Sequence, residues 1–288
     1  MHKSAVLLIS CPDRKGEVAT IADFVYRHNG NILHADEHGD AESGLFLMRV
    51  EFDATDFDID LSQPNLGDFS RQFSPIAEIF GMKWRLALAS QRPRMIILVS
   101  KYDHCLVDLL YRQQSGELAC DIPLIISNHP DNQAVADFYK IPYSVVPFTK
   151  DNKIEAEGRI QSLIDQHNPG FMVLARYMQI LSNDFVHRYP QRIINIHPSL
   201  LPSFPGPQAY RQAYEYGVKL IGVTAHFVSM RLDEGPIIAQ ASAPIPSNAT
   251  LKQIVAVGQR LESRTLLKAV RLYLSKRLDV HWGVVKAV

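Results

Sequence analysis

Ile193-Ile194-Asn195-Ile196-His197-Pro198-Ser199-Leu200-Leu201-Pro202 decides how the rest of the chain is organised. Its first five residues read as a strand, in which side chains two apart share a face, so Asn195 and His197 stand together and Ile194 and Ile196 point the other way. Pro198 biases His197 towards extended backbone and Pro202 opposes a helix, so the strand runs out into an open loop. Open α/β sheets bind ligands beyond such strand ends. An amide that donates to a developing oxyanion, an imidazole that moves a proton and a carboxylate, Asp233, that orients the ring are parts for acyl-type transfer. No serine or cysteine nucleophile is required, because an acceptor or water can attack directly. The same residues also fit a bland reading: a turn asparagine, a half-buried structural histidine and a loop carboxylate.

Working outward, the flanking sequence alternates short apolar strands with helical patterns. Strands are expected at 95–99, 122–126, 143–146, 171–174 and 193–197, with helices at 105–114, 132–139, 154–167 and 183–188 between them. Near-continuous apolar strands joined by helical crossovers mean a mostly parallel sheet covered on both faces, a Rossmann-like half. Beyond the loop a helix at 210–216, a strand at 220–228 with Thr224 and His226 on one face, a strand at 236–243 and a helix at 251–275 follow. The last helix carries Ile254, Val255, Val257, Leu261, Leu266, Leu267, Val270 and Leu274 as a cover on the sheet, with Arg260, Arg264, Lys268 and Arg271 as a solvated face.

Residues 1–90 follow a different pattern. A strand at 5–10, a helix using Val18, Ile21, Ala22, Val25 and Tyr26, paired strands at 31–37 and 45–52, a helix at 69–80 using Ile76, Ile79 and Phe80, and a strand at 84–88 give βαββαβ, the ferredoxin-like order. Ser90-Gln91-Arg92-Pro93-Arg94 is the polar joint, so the chain divides into 1–90 and 91–288. Asp36, Glu37, His38 and Asp40 alternate rather than converge, which makes them a solvated turn and not a metal site. No metal is expected anywhere.

Composition narrows the class. The 288 residues are 47% hydrophobic, enough for two cores, and thirty basic residues balance thirty acidic ones, so no overall field favours nucleic acid. Cys11, Cys105 and Cys120 lack metal or CxxC spacing and read as reduced, packed thiols of a cytoplasmic protein. The apolar run after Met1 is too short for a signal peptide, and no stretch is long enough to span a membrane.

Taken together, Asn195 through Pro202, Pro205-Gly206, Thr224-Ala225-His226-Phe227-Val228 and Leu232-Asp233-Glu234-Gly235-Pro236 closely resemble the catalytic core of the enzymes that use 10-formyltetrahydrofolate: glycinamide ribonucleotide formyltransferase, methionyl-tRNA formyltransferase and formyltetrahydrofolate deformylase. The resemblance implies Asn195, His197 and Asp233 as the catalytic set, with a folate substrate and no cofactor. Cys11-Pro12-Asp13-Arg14-Lys15-Gly16 entering a helix resembles the opening of ACT domains, which pair and bind amino acids. That implies either a regulatory module, with glycine or methionine as first effectors to try, or a dimerising prop, and a homodimer or homotetramer.

Two departures from the transferase pattern select the branch. The turn Ser100-Lys101-Tyr102-Asp103-His104-Cys105 has no glycine and adds a carboxylate, a poor phosphate cradle where the glycinamide ribonucleotide enzymes carry a Gly-Ser-Gly-type loop. Ala175-Arg176-Tyr177-Met178 resembles the deformylase form rather than the Ala-Gly-Phe-Met of the transferases. The resemblance therefore implies hydrolysis of 10-formyltetrahydrofolate to tetrahydrofolate and formate, feeding purine synthesis and balancing one-carbon pools. It also implies that Arg176, Tyr177, Met178, Leu181, His226, Val228 and Arg231 contact the substrate. For His226 a structural role fits equally well, and the segment after Leu174 also reads as helix packing. Ser127-Asn128-His129-Pro130 either touches substrate or is an ordinary turn. The rival readings are a formyltransferase acting on an amine such as glycinamide ribonucleotide, and a binding regulator with a decayed site.

Overall fold

The structure is a computed structural model; it describes residues 4–62, 66–88, 92–149, 151–281 and 284–287. The chain forms two compact units. The first runs β1 (Ser4–Pro12), α1 (Glu17–Arg27), β2 (Asn31–Asp40), β3 (Leu45–Asp53), α2 (Gly67–Phe80) and β4 (Lys83–Leu88). Its antiparallel sheet has the order β2-β3-β1-β4, the ferredoxin-like arrangement. Alternate residues Ala5, Leu7, Ile9 and Cys11 of β1 face the core, as period-two patterning requires.

The helices of this unit bury a different stripe from the one expected. In α1, Ile21, Phe24 and Val25 go inward while Val18 and Tyr26 face out; in α2, Phe69, Phe73 and Ala77 are buried and Ile79 is exposed. Two helical registers were available in each, and the one that buries Phe24, Phe69 and Phe73 removes more apolar area from water. These rings pack edge-on and stacked with centroids 5.1–5.6 Å apart. The acidic cluster lies along β2 rather than in a turn, with Asp36 3.2 Å from Arg277 and Asp40 2.8 Å from Lys286. The Lys286 ammonium holds the Asp40 carboxyl well below the usual range.

The boundary falls between Arg92 and Pro93; residues 90–91 of the expected joint lie outside the described residues. The second unit runs β5 (Arg94–Val99), α3 (His104–Gln114), β6 (Asp121–Ser127), α4 (Gln133–Phe138), β7 (Tyr143–Val145), α5 (Lys153–His167), β8 (Phe171–Ala175), α6 (Asn183–His187), β9 (Ile193–His197), α7 (Ala209–Tyr216), β10 (Leu220–Phe227), β11 (Ile237–Pro244) and α8 (Leu251–Leu274). A final pair, β12 (Leu278–His281) and β13 (Val284–Ala287), had no expectation attached to it. Lys276–Asp279 and residues 286–287 group with the first unit.

The seven-stranded sheet has the order β11-β10-β9-β8-β5-β6-β7. From β9 to β7 every pairing is parallel, whereas β10 and β11 are antiparallel. Met95 to Val99 are wholly buried, as a central strand covered on both faces must be. The chain leaves β5 on one side for β6 and β7, then crosses back to place β8 on its other side. The switch point of this doubly wound sheet therefore lies between the carboxyl ends of β5 and β8. Among the described residues no helix is long and apolar enough to cross a membrane.

Candidate active site

β9 delivers Asn195 and His197 to one end of the sheet, and β10 runs antiparallel beside it with His226 opposite Asn195 and Thr224 opposite His197. Thr224 fastens the loop that follows β9. Its hydroxyl donates to the Ser199 carbonyl at 2.7 Å and accepts from the Leu201 amide at 3.0 Å and the Gln240 side-chain amide at 2.9 Å. The Leu201–Pro202 peptide in this loop is cis.

Asp233 arrives on the β10–β11 loop with φ 57°, a left-handed conformation that only a well-supported loop imposes on a non-glycine residue. Its Oδ2 accepts from the Gly206 amide at 2.8 Å and lies 3.2 Å from His197 Nδ1. Burial pushes this carboxyl up, but the His197 hydrogen bond and the Gly206 amide outweigh burial and hold it below its ordinary value. The far nitrogen of His197, Nε2, is 3.0 Å from the Phe204 carbonyl. Both ring nitrogens thus face acceptors, and a ring carrying hydrogen on both satisfies both.

His226 is the opposite case. Its Nδ1 faces the Phe227 carbonyl at 2.9 Å and must carry hydrogen, so Nε2 accepts from the Asn195 side-chain amide at 3.2 Å. Burial lowers its pKa, which keeps the ring neutral and able to accept. One N–H of Asn195 is thereby held against His226, and the other is left for the cavity.

Gly235 makes this geometry affordable sterically. A Cβ there would lie 1.7 Å from the Phe227 carbonyl oxygen and 3.3 Å from His226 Nδ1. Gly235→Ala must therefore shift either the Asp233 loop or the carbonyl that fixes the His226 tautomer. The expected result is a loss of about 1–3 kcal/mol of stability, as for overpacked sites, with a fall in turnover. Denaturant titration beside steady-state kinetics checks it, and native values for both would refute the steric argument.

A cavity of about 640 Å³ opens over these residues. Asn195, His197, His226 and Asp233 line it together with Arg176, Tyr177, Met178, Leu181, Val228 and Arg231, so all ten expected site residues border one space. They differ in exposure. Tyr177 is a buried wall residue packed in the core, Met178 is half exposed, and Arg231 lies at the exposed rim 3.4 Å from Glu234. Asn128 is not among the lining residues. It accepts from the Ser100 hydroxyl at 2.6 Å, and that hydroxyl takes the Met178 amide at 2.9 Å, so the turn after β6 supports the site from behind.

Among the lining residues to which the sequence assigned no site role are Tyr102, Tyr210 and Glu262. Glu262 is wholly buried on α8 and accepts from the Tyr210 hydroxyl at 2.5 Å and His104 Nε2 at 2.9 Å. Burial pushes its carboxyl up, but His104, Arg176 and Tyr210 together hold it low. The readable signal is its position, because Ile254, Gly258, Glu262 and Leu266 repeat every four residues along the buried stripe. His104, Cys105 and Glu262 also place one donor atom each within 4.8 Å of one another. Their chemistry does not suit a cation, since Glu262 is already paired with Arg176 at 3.2 Å and burial, reinforced by Glu262, raises the Cys105 thiol.

The formyl transferase family matches residues 93–270. The formyltetrahydrofolate deformylase of Synechocystis sp. is 47% identical over 96% of this chain and 96% of its own length. A crystal structure of a formyltetrahydrofolate deformylase from Pseudomonas syringae pv. tomato superposes with a TM-score of 0.94 at 40% identity, covering 100% of this chain and 95% of that one. A glycinamide ribonucleotide transformylase from Symbiobacterium toebii is more distant, with a TM-score of 0.66 and 28% identity over 71% of this chain and 98% of its own. Full-length identity at this level, with both units covered, places the chain in the formyltetrahydrofolate deformylase family.

Proposed function

We propose that Asn195, His197 and Asp233 carry the hydrolysis of 10-formyltetrahydrofolate to tetrahydrofolate and formate in this protein. The observation that supports the reading is their convergence in one cavity, with His197 held between Asp233 and the Phe204 carbonyl and Asn195 held by a neutral His226. Asp233 Oδ1, which has no hydrogen bond among the described residues, holds the attacking water. As water adds to the formyl carbon, the oxygen that gains charge takes the free N–H of Asn195 and the Nε2–H of His197, displacing the Phe204 carbonyl. The bond from carbon to N10 then breaks. N10 leaves with one of the water protons, relayed through His197, and formic acid ionises to formate. Water is the acceptor, so no cofactor enters the reaction.

Met178, Leu181 and Val228 give the pterin an apolar slot, and Arg231 at the rim offers a cation to a carboxylate of the folate tail. The first unit, by its βαββαβ order, serves as a regulatory or pairing module. Glycine and methionine are the effectors to try, in a homodimer or homotetramer. The three cysteines, buried and in no disulfide among the described residues, fit a cytoplasmic enzyme. The test is formate release from 10-formyltetrahydrofolate by the purified protein with no amine added. Acceptor-independent release is expected; release that requires an amine would replace hydrolysis with transfer.

A further inference from the structure

We propose that Arg176, Tyr102 and Glu262 form a plug that closes this cavity to amine acceptors and leaves water as the nucleophile. The inference rests on the hydrolase reading and adds a determinant of which acceptor is used.

The plug sits where a doubly wound sheet ordinarily receives a ligand, in the crevice between the carboxyl ends of β5 and β8. Tyr102 follows β5 and Arg176 follows β8. The two are 74 positions apart in sequence by their numbers, yet they meet: the Arg176 guanidinium lies 5.4 Å over the Tyr102 ring. Arg176 has φ 62°, backbone that glycine adopts freely and arginine adopts only when its surroundings impose it.

The surroundings that impose it come from the cover helix. Glu262, with no exposed surface, lies 3.2 Å from Arg176 Nε and also takes His104 and Tyr210. A buried carboxylate loses heavily when its cation is removed, so Glu262 anchors Arg176 in place. Tyr210 reaches Glu262 because α8 has glycine at 258, where a Cβ would stand 2.1 Å from the tyrosine oxygen. The cavity is therefore bordered by the apolar Met178, Leu181 and Val228 and by the charge-paired cluster of Tyr102, Arg176 and Glu262. A water molecule needs no channel of its own beside the donor. An amine carries a substituent that must lie somewhere, and the crevice that would take it is occupied.

The experiment measures product partition. Protein, 10-formyltetrahydrofolate and glycinamide are mixed, and formate and N-formylglycinamide are quantified over the uncatalysed background. In transfer the amine nitrogen bonds to the formyl carbon, the bond from carbon to N10 breaks, and one amine proton ends on N10. The native protein is expected to give formate. Arg176→Gly, which suits the backbone at φ 62°, is expected to raise the ratio of formylated amine to formate about tenfold, in line with pocket discrimination of 10–200-fold, and to saturate with amine. Tyr102→Ala is expected to raise it less. An unchanged ratio in both variants overturns the proposal, whether or not total turnover falls. If Arg176→Gly does not fold, Tyr102→Ala decides alone, since that side chain is 48% exposed and its removal spares the core. Absence of formate from the native protein would instead count against the hydrolase reading, so the two failures are distinct.

Discussion

The Asp233→Asn variant is expected to lose about 10²–10⁴ of native turnover, the range that positioned acid–base groups supply. The amide keeps the shape of the carboxylate and can still accept from the Gly206 amide. It removes the negative charge 3.2 Å from His197 Nδ1 and puts an NH2 donor at the Oδ1 position, where the carboxylate would accept from the attacking water. A flipped amide loses both contacts, because Gly206 and His197 share Oδ2. The effect should fall on kcat more than on KM, because the charge acts on the proton transfer and not on the folate slot.

Linkage gives a second readout for the same variant. A carboxylate whose pKa is lower folded than unfolded adds stability that is complete above the unfolded value, about 3.9, and is lost as pH falls through the folded one. Asp233 is such a group, because its hydrogen bonds outweigh its burial. The native protein should therefore lose stability more steeply below about pH 4 than the asparagine variant does. Denaturant midpoints measured across that range check it, and parallel curves would show that the carboxylate is not held low.

Asn195→Ala is expected to cost about 10²–10³ in turnover, the loss seen when one oxyanion donor is removed from a preorganised site. Asn195 is suited to this role because its amide is not free to turn. His226 can only accept at Nε2, since its Nδ1–H is committed to the Phe227 carbonyl, and this fixes which end of the Asn195 amide faces the ring. A near-native rate in Asn195→Ala would remove the asparagine from the oxyanion site and leave His197 as the sole donor. A loss confined to KM would make Asn195 a binding residue.

Much of this was legible in the chain alone. Period-two alternation in β9 put Asn195 and His197 on one face, and that is a local property of extended backbone that tertiary packing did not alter. Apolar strands alternating with helical patterns determined the α/β class, because continuous apolar runs such as Met95–Val99 have to be covered on both faces. The motif string in the second half carried the family, which full-length relatives then showed.

Other features depended on which distant segments meet. Helical spacing in α1 and α2 allowed two buried stripes, and the choice fell to the aromatic cluster of Phe24, Phe69 and Phe73, which exists only once both helices lie on the sheet. The state of each histidine was equally out of reach. His197 faces a carboxylate and a carbonyl whereas His226 faces a carbonyl and an amide, and those partners come from different loops. Arg176, Tyr102 and Glu262 were each visible as letters, but a buried ion pair is defined by proximity and exclusion of water. Only the tertiary fold brings β5, β8 and α8 together tightly enough to supply both.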